Sequence, residues 1–147
     1  MPTVSVLVLA RDEAPTIARA IRSTEGLASE VIVGVDTTTT DDTAAIARGC
    51  GARVVPIVFR GDFAAAHNRL DGAASGEWAL KLDGHEALVE EHAGRLREVM
   101  ALPDTGSVLC RLETSFVEGS ERAMVRRAYR RGPGSGTGAA CTRSWSV

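Results

Sequence analysis

The stretch "VSVLVLARDEAPTIARAI" (residues 4–21) decides how the N-terminal part of this chain folds. Its first seven residues, Val4–Ala10, are mostly apolar and β-branched, which is typical of a strand covered on both faces in a parallel sheet. Pro15 suits the start of a helix. One apolar helical face follows, formed by Ile17, Ala20, Ile21 and Thr24. The stretch therefore predicts a buried strand that leads into an amphipathic helix.

The same alternation continues downstream. We predict further strands at residues 30–36 ("EVIVGVD"), 53–59 ("RVVPIVF") and 77–83 ("EWALKLD"), with Pro56 indicating an edge strand or a bulge. A helix with Ala44, Ala47 and Ile46 inside follows the cap-forming "TTTTDDT", and residues 62–74 are alanine-rich and helical. Strands alternating with helices predict the α/β fold class, with a mostly parallel sheet flanked by helices.

The C-terminal third gives weaker signals. We predict a helix over residues 86–102, whose apolar face is Val89, Ala93, Leu96 and Met100, and a strand over residues 106–116. Residues 120–132 ("SERAMVRRAYRRG") fit a short helix or an extended segment, and both stay open. The expected division is an α/β core at 1–102, a partial C-terminal strand with a basic segment at 103–131, and a flexible, glycine-rich tail at 132–147.

Composition excludes several classes of protein. A chain of 147 residues suits one domain, and a net charge of −2 gives no general attraction to nucleic acid or membrane. No apolar stretch reaches the roughly 20 residues of a transmembrane helix, and the N-terminal apolar run lacks the features of a signal peptide. Three scattered cysteines (Cys50, Cys110, Cys141) fit a reducing compartment, so we expect a cytoplasmic protein.

Polar residues cluster just after the predicted strands. They are Arg11, Asp12 and Glu13 after the first strand, Asp36 at the end of the second, and residues 83–86 ("DGHE") after the fourth. Ligands of open α/β sheets bind in the crevice outside these strand ends, so we expect a binding site there. No G-x-G-x-x-G follows the first strand, which counts against a dinucleotide-binding fold.

Three segments and their spacing carry a family resemblance: "SVLVLARDEAPTIARAIRS", "EVIVGVDTTTTDDTAAIARGCGARV" and "DFAAAHNRLDGAASGEWALKLDGHE". Over roughly residues 3–100 the chain resembles the nucleotide-sugar-binding half of the family 2 glycosyltransferases, which are inverting enzymes of the GT-A fold. The resemblance implies a Rossmann-like sheet and binding of a UDP- or GDP-linked sugar. It also implies that the acceptor side of the fold is truncated in this chain.

The resemblance implies roles for the nucleotide-binding residues. Asp36 would accept the N3–H of a uracil-type base, an imide donor that suits a carboxylate; alternatively, Asp36 only caps the next helix. Arg11 would face the diphosphate and Glu13 the base or ribose, whereas Asp12 either contacts ligand or caps the first helix. The nucleotide-binding Ala-Arg-Asn of the family reads Ala66-His67-Asn68 here. Histidine lacks the fixed fork that arginine offers to phosphate, so His67 is a departure from the family pattern.

The resemblance also implies a divalent metal. The family ends its fourth strand with D-x-D, which holds a cation on the nucleotide diphosphate; here the residues are Asp83, Gly84 and His85. A carboxylate with an imidazole suits Mn²⁺ better than Mg²⁺. Glu86 is either another ligand or the first-turn acid of the next helix. The competing interpretation of these residues is a capped turn without metal.

No catalytic base can be identified from the sequence. Glu113, Glu118 and Glu121 belong to no motif and are expected on a solvated surface. A basic run (Arg122, Arg126, Arg127, Arg130, Arg131) would meet anionic groups or stay solvated. Three hypotheses remain: a glycosyltransferase, a nucleotide-sugar-binding module that lacks a base or depends on a partner, and a structural fragment. The acceptor and the oligomeric state stay unknown.

Overall fold

A computed structural model of the chain describes residues 1–116, 118–132 and 144–146. The strands are β1 (Val4–Ala10), β2 (Glu30–Asp36), β3 (Arg53–Ile57), β4 (Trp78–Asp83), β5 (Glu86–Leu88), β6 (Ser107–Phe116), β7 (Gly119–Arg130) and β8 (Ser144–Ser146). The helices are α1 (Ile17–Arg22), α2 (Thr43–Gly49), α3 (Phe63–Ala73) and α4 (Ala93–Met100), with a short 3₁₀ turn at Glu90–His92. Among these helices, none is both long and apolar enough to cross a bilayer.

The strands form one sheet in the order β3-β2-β1-β4-β7-β6-β5, and β8 pairs with β6. The four strands β3, β2, β1 and β4 are parallel, while β7, β6 and β5 are joined in antiparallel pairs. The strand β3 lies at the edge, where Pro56 costs no ladder hydrogen bond on its open side. The predicted α/β class and the parallel N-terminal sheet are confirmed.

Alternation along β1 divides the core between the two faces of the sheet. The side chains of Val4, Val6 and Val8 pack on one face, in a cluster that also contains the apolar residues of α1, α2 and α4. Leu7 packs on the other face, against the α3 residue Leu70. The helix α3 therefore covers one face of the parallel strands alone, and the opening beside its N-terminus becomes the site described below.

The parallel and antiparallel halves meet at a short junction. Only Trp78, Ala79 and Leu80 of β4 pair with β7, opposite its residues 128–130. Arg130 reinforces the junction: its guanidinium stacks over the Trp78 ring at 5.1 Å and donates to backbone carbonyls of residues 100, 102 and 105. The long hairpin of β6 and β7 extends away from this point.

Two expectations for element bounds need correction, and one open alternative is resolved. The helix predicted over residues 86–102 begins only at Ala93, because Glu86–Leu88 pairs with residues 112–114 of β6 as a strand. Of the two alternatives left open for residues 120–132, the extended segment is confirmed, because Gly119–Arg130 forms the strand β7. Strand β3 ends at Ile57, two residues earlier than predicted.

The predicted flexible tail at 132–147 lies mostly outside the described residues. Of the residues that are described there, Ser144–Ser146 form β8, a strand where the sequence predicted coil.

Candidate functional site

The ends of three neighbouring parallel strands bring the predicted acidic residues together. Leu9 of β1 pairs with Gly34 of β2 on one side and with Asp83 of β4 on the other. Asp36 lies two residues beyond Gly34, so alternation places Asp36, Gly34 and Asp83 on the same face, the one covered by α3. The two carboxylates therefore lie on opposite sides of the end of β1.

A cavity of about 350 Å³ opens at these strand ends. Its polar residues are Arg11, Glu13, Asp36, Asp83 and His85, and its apolar residues are Leu9, Ala10, Gly34, Ile57, Phe59, Phe63 and Ala66. Five of the seven predicted site residues thus share one hollow. Had Asp36 faced a different region from Asp83 and His85, a single nucleotide could not have reached them all.

Gly34 keeps the floor of the cavity open. A Cβ on Gly34 would lie 2.8 Å from Ile57 Cγ1, 3.0 Å from Leu70 Cδ2 and 3.1 Å from Leu9 Cδ2. These distances are shorter than ordinary carbon contacts, so a side chain at this position would push the neighbouring core residues apart. Glycine here allows tight packing under α3.

Asp36 is buried, with 8% of its surface exposed, and holds a local turn. Its Oδ1 accepts both the backbone N–H and the hydroxyl of Thr38, each at 2.9 Å. The N–H of Thr38 is the main cause of a pKa below the ordinary value; burial opposes this effect, while the Thr38 hydroxyl and the charge of Arg11 add to it. Asp36 is therefore ionised at neutral pH.

Glu13 contacts His85 across the cavity wall. Its Oε1 lies 3.1 Å from His85 Nδ1, and its Oε2 accepts the hydroxyl of Thr16 at 3.1 Å. Because a carboxylate accepts hydrogen bonds and has none to donate, this contact favours a proton on Nδ1, so that in the neutral ring the lone pair is on Nε2. The sequence missed this pairing, since the two residues are 72 positions apart.

Gly84 permits the close approach of Glu13. A Cβ on Gly84 would lie 2.9 Å from Glu13 Cγ and 3.1 Å from Ala10 Cβ. The carbonyl of Gly84 accepts the Thr16 hydroxyl at 2.8 Å, and its N–H donates to Leu9 O at 2.8 Å. The turn between β4 and β5 is thus fixed against the loop after β1.

Glu86 supports the Asp83 turn from behind. Its Oε2 accepts the backbone N–H of Asp83 at 2.9 Å, and its Oε1 accepts Arg127 Nη2 at 2.8 Å. Only 6% of Glu86 is exposed. The first-turn interpretation of Glu86 is therefore wrong, because the residue lies on the strand β5. Both of its carboxylate oxygens accept hydrogen bonds from the protein, and its role as a metal ligand stays a prediction.

Asp12 joins two loops and does not line the cavity. Its Oδ1 accepts the backbone N–H of Thr40 at 2.8 Å, and its backbone has a positive φ of 49°. A second hydrogen bond joins the same loops, since Asp41 accepts the N–H of Ala14 at 3.0 Å. Asp12 therefore does not cap α1; it ties the loop after β1 to the threonine-rich loop after β2.

His67 and Asn68, the other predicted nucleotide-binding residues, lie on α3 outside the residues that line the cavity. His67 is half-buried, and within the described chain its Nδ1 has no hydrogen-bond partner. Burial lowers its pKa, as does the charge of Lys81, while Asp83 and Asp71 oppose the shift. His67 is thus neutral at neutral pH and does not supply the charge of the family's arginine. Asn68 is exposed.

A buried polar cluster beside α3 has no signal in the local sequence pattern. Asp71, only 3% exposed, accepts the Tyr129 hydroxyl, and Lys81 Nζ lies 3.6 Å from its Oδ2. Burial and the hydrogen bond to Asp71 raise the pKa of the Tyr129 phenol. Because Lys81 is also 4.9 Å from the centre of the Tyr129 ring, the cluster ties α3 to both β4 and β7.

Most of the five arginines in and directly after β7 contact other residues of the protein. Arg122 pairs with Glu113 at 2.9 Å, and Arg127 pairs with Glu86. Arg130 contacts Glu77, and Arg131 donates to the carbonyls of residues 71 and 76. Four of these five arginines therefore have protein partners, and Arg126 is exposed.

Among the described residues, no three His, Cys, Asp or Glu side chains cluster closely enough to hold a metal ion by themselves. Among the residues that line the cavity, Asp83 offers a carboxylate and His85 an imidazole nitrogen, both of a type that binds divalent metals. A cation here would need its remaining ligands from substrate and water.

Comparisons with known proteins agree with this geometry. Residues 5–145 match the family described as Glycosyl transferase family 2. A TPR repeat-containing protein of Synechococcus elongatus is 38% identical over 104 residues, which are 71% of this chain and 26% of that protein. An uncharacterized glycosyltransferase of Rickettsia felis is 34% identical over 101 residues, which are 69% of this chain and 35% of that protein.

A solved structure of similar fold is glucosyl-3-phosphoglycerate synthase from Mycobacterium tuberculosis. Its complex with Mn²⁺, UDP and glucosyl-3-phosphoglycerate aligns with a TM-score of 0.58 and 27% identity, covering 74% of this chain and 43% of that chain. The same enzyme is known with Mg²⁺ and UDP. The present chain thus spans between a quarter and less than half of these relatives.

Proposed function

Because this chain belongs to glycosyl transferase family 2 and has a GT-A-type sheet, we propose that it binds a nucleotide-diphosphate sugar and transfers the sugar with inversion. The observation that carries the proposal is the convergence of Asp36, Asp83 and His85 on one cavity at the strand ends. In open α/β sheets this position is where ligands bind. The diphosphate would lie between Arg11 and the Asp83–His85 side.

The donor set fits a divalent metal ion. Asp83 offers a carboxylate, and His85 offers Nε2 because Glu13 occupies its Nδ1 side. A carboxylate that orients a metal-binding histidine in this way is a recurrent arrangement. Oxygen and imidazole donors together favour Mn²⁺ over Mg²⁺. When bound, the ion would neutralise charge on the departing diphosphate.

The single free oxygen of the Asp36 carboxylate favours uracil over guanine as the base of the nucleotide. Its Oδ1 is taken by two donors from Thr38, which leaves Oδ2 as the free acceptor. Uracil presents one imide N–H, whereas guanine presents adjacent N1–H and N2–H groups that suit both oxygens of a carboxylate. We therefore propose a UDP-linked donor.

The catalytic base remains unassigned. Inverting transfer needs a group that takes the proton of the acceptor hydroxyl as it attacks the anomeric carbon and the bond to the diphosphate breaks. Glu113 is unsuitable, because a hydrogen bond from Arg122, with further help from Ser120 and Arg19, lowers its pKa. Glu118 and Glu121 are exposed at the far end of the hairpin.

Calorimetry with UDP and GDP, with and without Mn²⁺, tests the proposal. We expect UDP to bind more tightly than GDP, and Mn²⁺ to strengthen binding. Asp83→Ala should weaken Mn²⁺-dependent binding at least tenfold, equivalent to about 1.4 kcal/mol. Glu98→Ala, an exposed change on α4, is the matched control and should bind as the native protein does.

Different results separate the three hypotheses. Hydrolysis or transfer from a panel of UDP-sugars would support the enzyme, whereas binding without turnover would support the binding module. Equal binding with and without Mn²⁺ would refute the metal site. Absence of binding to either nucleotide would leave the structural fragment.

A further inference from the structure

Two phenylalanines meet at the mouth of the cavity. Phe59 follows β3, and Phe63 is the first residue of α3; their ring centres are 4.7 Å apart, with planes inclined at 55°. Both rings line the cavity. Phe59 packs against the core cluster under α3, but 67% of Phe63 is exposed.

Folding alone does not explain the position of Phe63. The helix α3 is anchored by the buried residues Ala66 and Leu70, and its N-terminus is capped by Asp62, whose Oδ1 accepts the N–H of Ala65 at 3.1 Å. An isolated exposed apolar side chain is common. Phe63, in contrast, faces a second aromatic ring and a hollow, which is an arrangement typical of ligand sites.

The rings lie on the side of the cavity that holds Asp36. Asp36 pairs in register with Ile57, and the N–H of Thr37 donates to Ile57 O at 2.9 Å. Phe59 comes two residues after Ile57, so it continues from the strand next to Asp36. Asp83 lies on the far side of β1. The cavity therefore has one end with Asp36 and the two aromatic rings and another end with Asp83.

We propose that Phe59 and Phe63 form the surface on which the base of the nucleotide stacks while its edge bonds to Asp36. This inference rests on the proposed function and adds the residues that recognise the base. A planar heterocycle offers its edge to a carboxylate and its face to aromatic rings. Phe63 would become covered when the nucleotide binds, which gives its exposed ring a role.

Binding of two probes, UDP and inorganic pyrophosphate, each with Mn²⁺, tests the assignment. Truncating an aromatic ring that stacks on a base typically weakens binding by tenfold or more. We expect about this loss for UDP in Phe63→Ala and less than about a twofold change for pyrophosphate. Phe63→Tyr should retain UDP binding, because it keeps the ring.

Val58→Ala is the matched control. Val58 is 63% exposed on the same loop and does not line the cavity, so its truncation should leave UDP binding unchanged. If the native protein binds UDP and Phe63→Ala binds it equally well, the stacking surface is refuted while the proposed function stands. If the native protein binds neither probe, the proposed function fails and this inference fails with it.

Discussion

Removing the Glu86 carboxylate should destabilise the chain strongly. Glu86→Ala leaves the Arg127 guanidinium without its 2.8 Å partner and the Asp83 N–H without its acceptor. The side chains of Glu86 and Arg127 are only 7% and 23% exposed, so water replaces the lost contacts poorly. Breaking a buried pair by removing one member costs about 3–5 kcal/mol, and the partial exposure of Arg127 places the expected loss near the lower end, at about 3 kcal/mol.

Urea unfolding at pH 7 measures this loss as a change in the free energy of unfolding. Glu86→Gln keeps an acceptor for Asp83 N–H and should lose less than Glu86→Ala. The double variant Glu86→Leu/Arg127→Leu removes both charges and should recover part of the stability, since an apolar pair replaces an ion pair at little cost. The exposed Glu98→Ala controls for loss of a carboxylate, at about 0.5 kcal/mol or less. Equal unfolding free energies for Glu86→Ala and Glu98→Ala would refute the reasoning.

Three further predictions test separate features. Asp36→Asn should destabilise the chain by about 1 kcal/mol at pH 7, measured by urea unfolding. Because hydrogen bonds from Thr38 lower the pKa of Asp36 in the folded state, this loss of stability should shrink as pH falls below the ordinary value of 3.8. A loss that stays constant with pH would contradict the argument. Gly84→Ala should lower the stability of the fold by about 1–3 kcal/mol, because its methyl group would crowd Glu13 and Ala10. Gly94→Ala, in open space on α4, should raise the stability by about 0.5–1 kcal/mol. Similar shifts in thermal unfolding for both variants would contradict the packing argument. Burial raises the pKa of Cys110 to about 12, so its thiol should not react with a thiol reagent in the folded protein. Cys110→Ala should therefore leave the number of reactive thiols unchanged in the native protein and lower it by one in urea. A reactive thiol lost under native conditions would contradict this.

The parallel strands could be predicted because their signals are local. The apolar, β-branched runs of Val4–Ala10 and Glu30–Asp36 specify buried strands by themselves, and both were predicted with the bounds they have. Parallel packing then places Asp36 and Asp83 at one edge of the sheet without knowledge of any side-chain contact. This is why the position of the candidate site could be derived from sequence.

The remaining features depend on distant partners. Strand β5 is three residues long and is stabilised by pairing with β6. From the local sequence, its residues were predicted as part of the helix that became α4. Glu86 has its partner Arg127 41 residues away, so its position at the start of the predicted helix led to the wrong interpretation. Glu13 lines the cavity, and its contact with His85, 72 positions away, has no signal in the local sequence. Local patterns carry no information on such pairs.

The narrow junction between β4 and β7 has a dynamic consequence. Within the sheet, three residue pairs join the parallel strands to the hairpin, supported by side-chain contacts of Tyr129, Arg130 and Arg131 at the same end of β7. The strands β1 and β2, in contrast, are paired along nearly their whole length. Sub-global opening follows such divisions, so amide protons of the distal hairpin should exchange with solvent faster than those of the central strands. The wall of the cavity that carries Asp36 would then keep its shape during openings that release the Glu86–Arg127 contact behind Asp83.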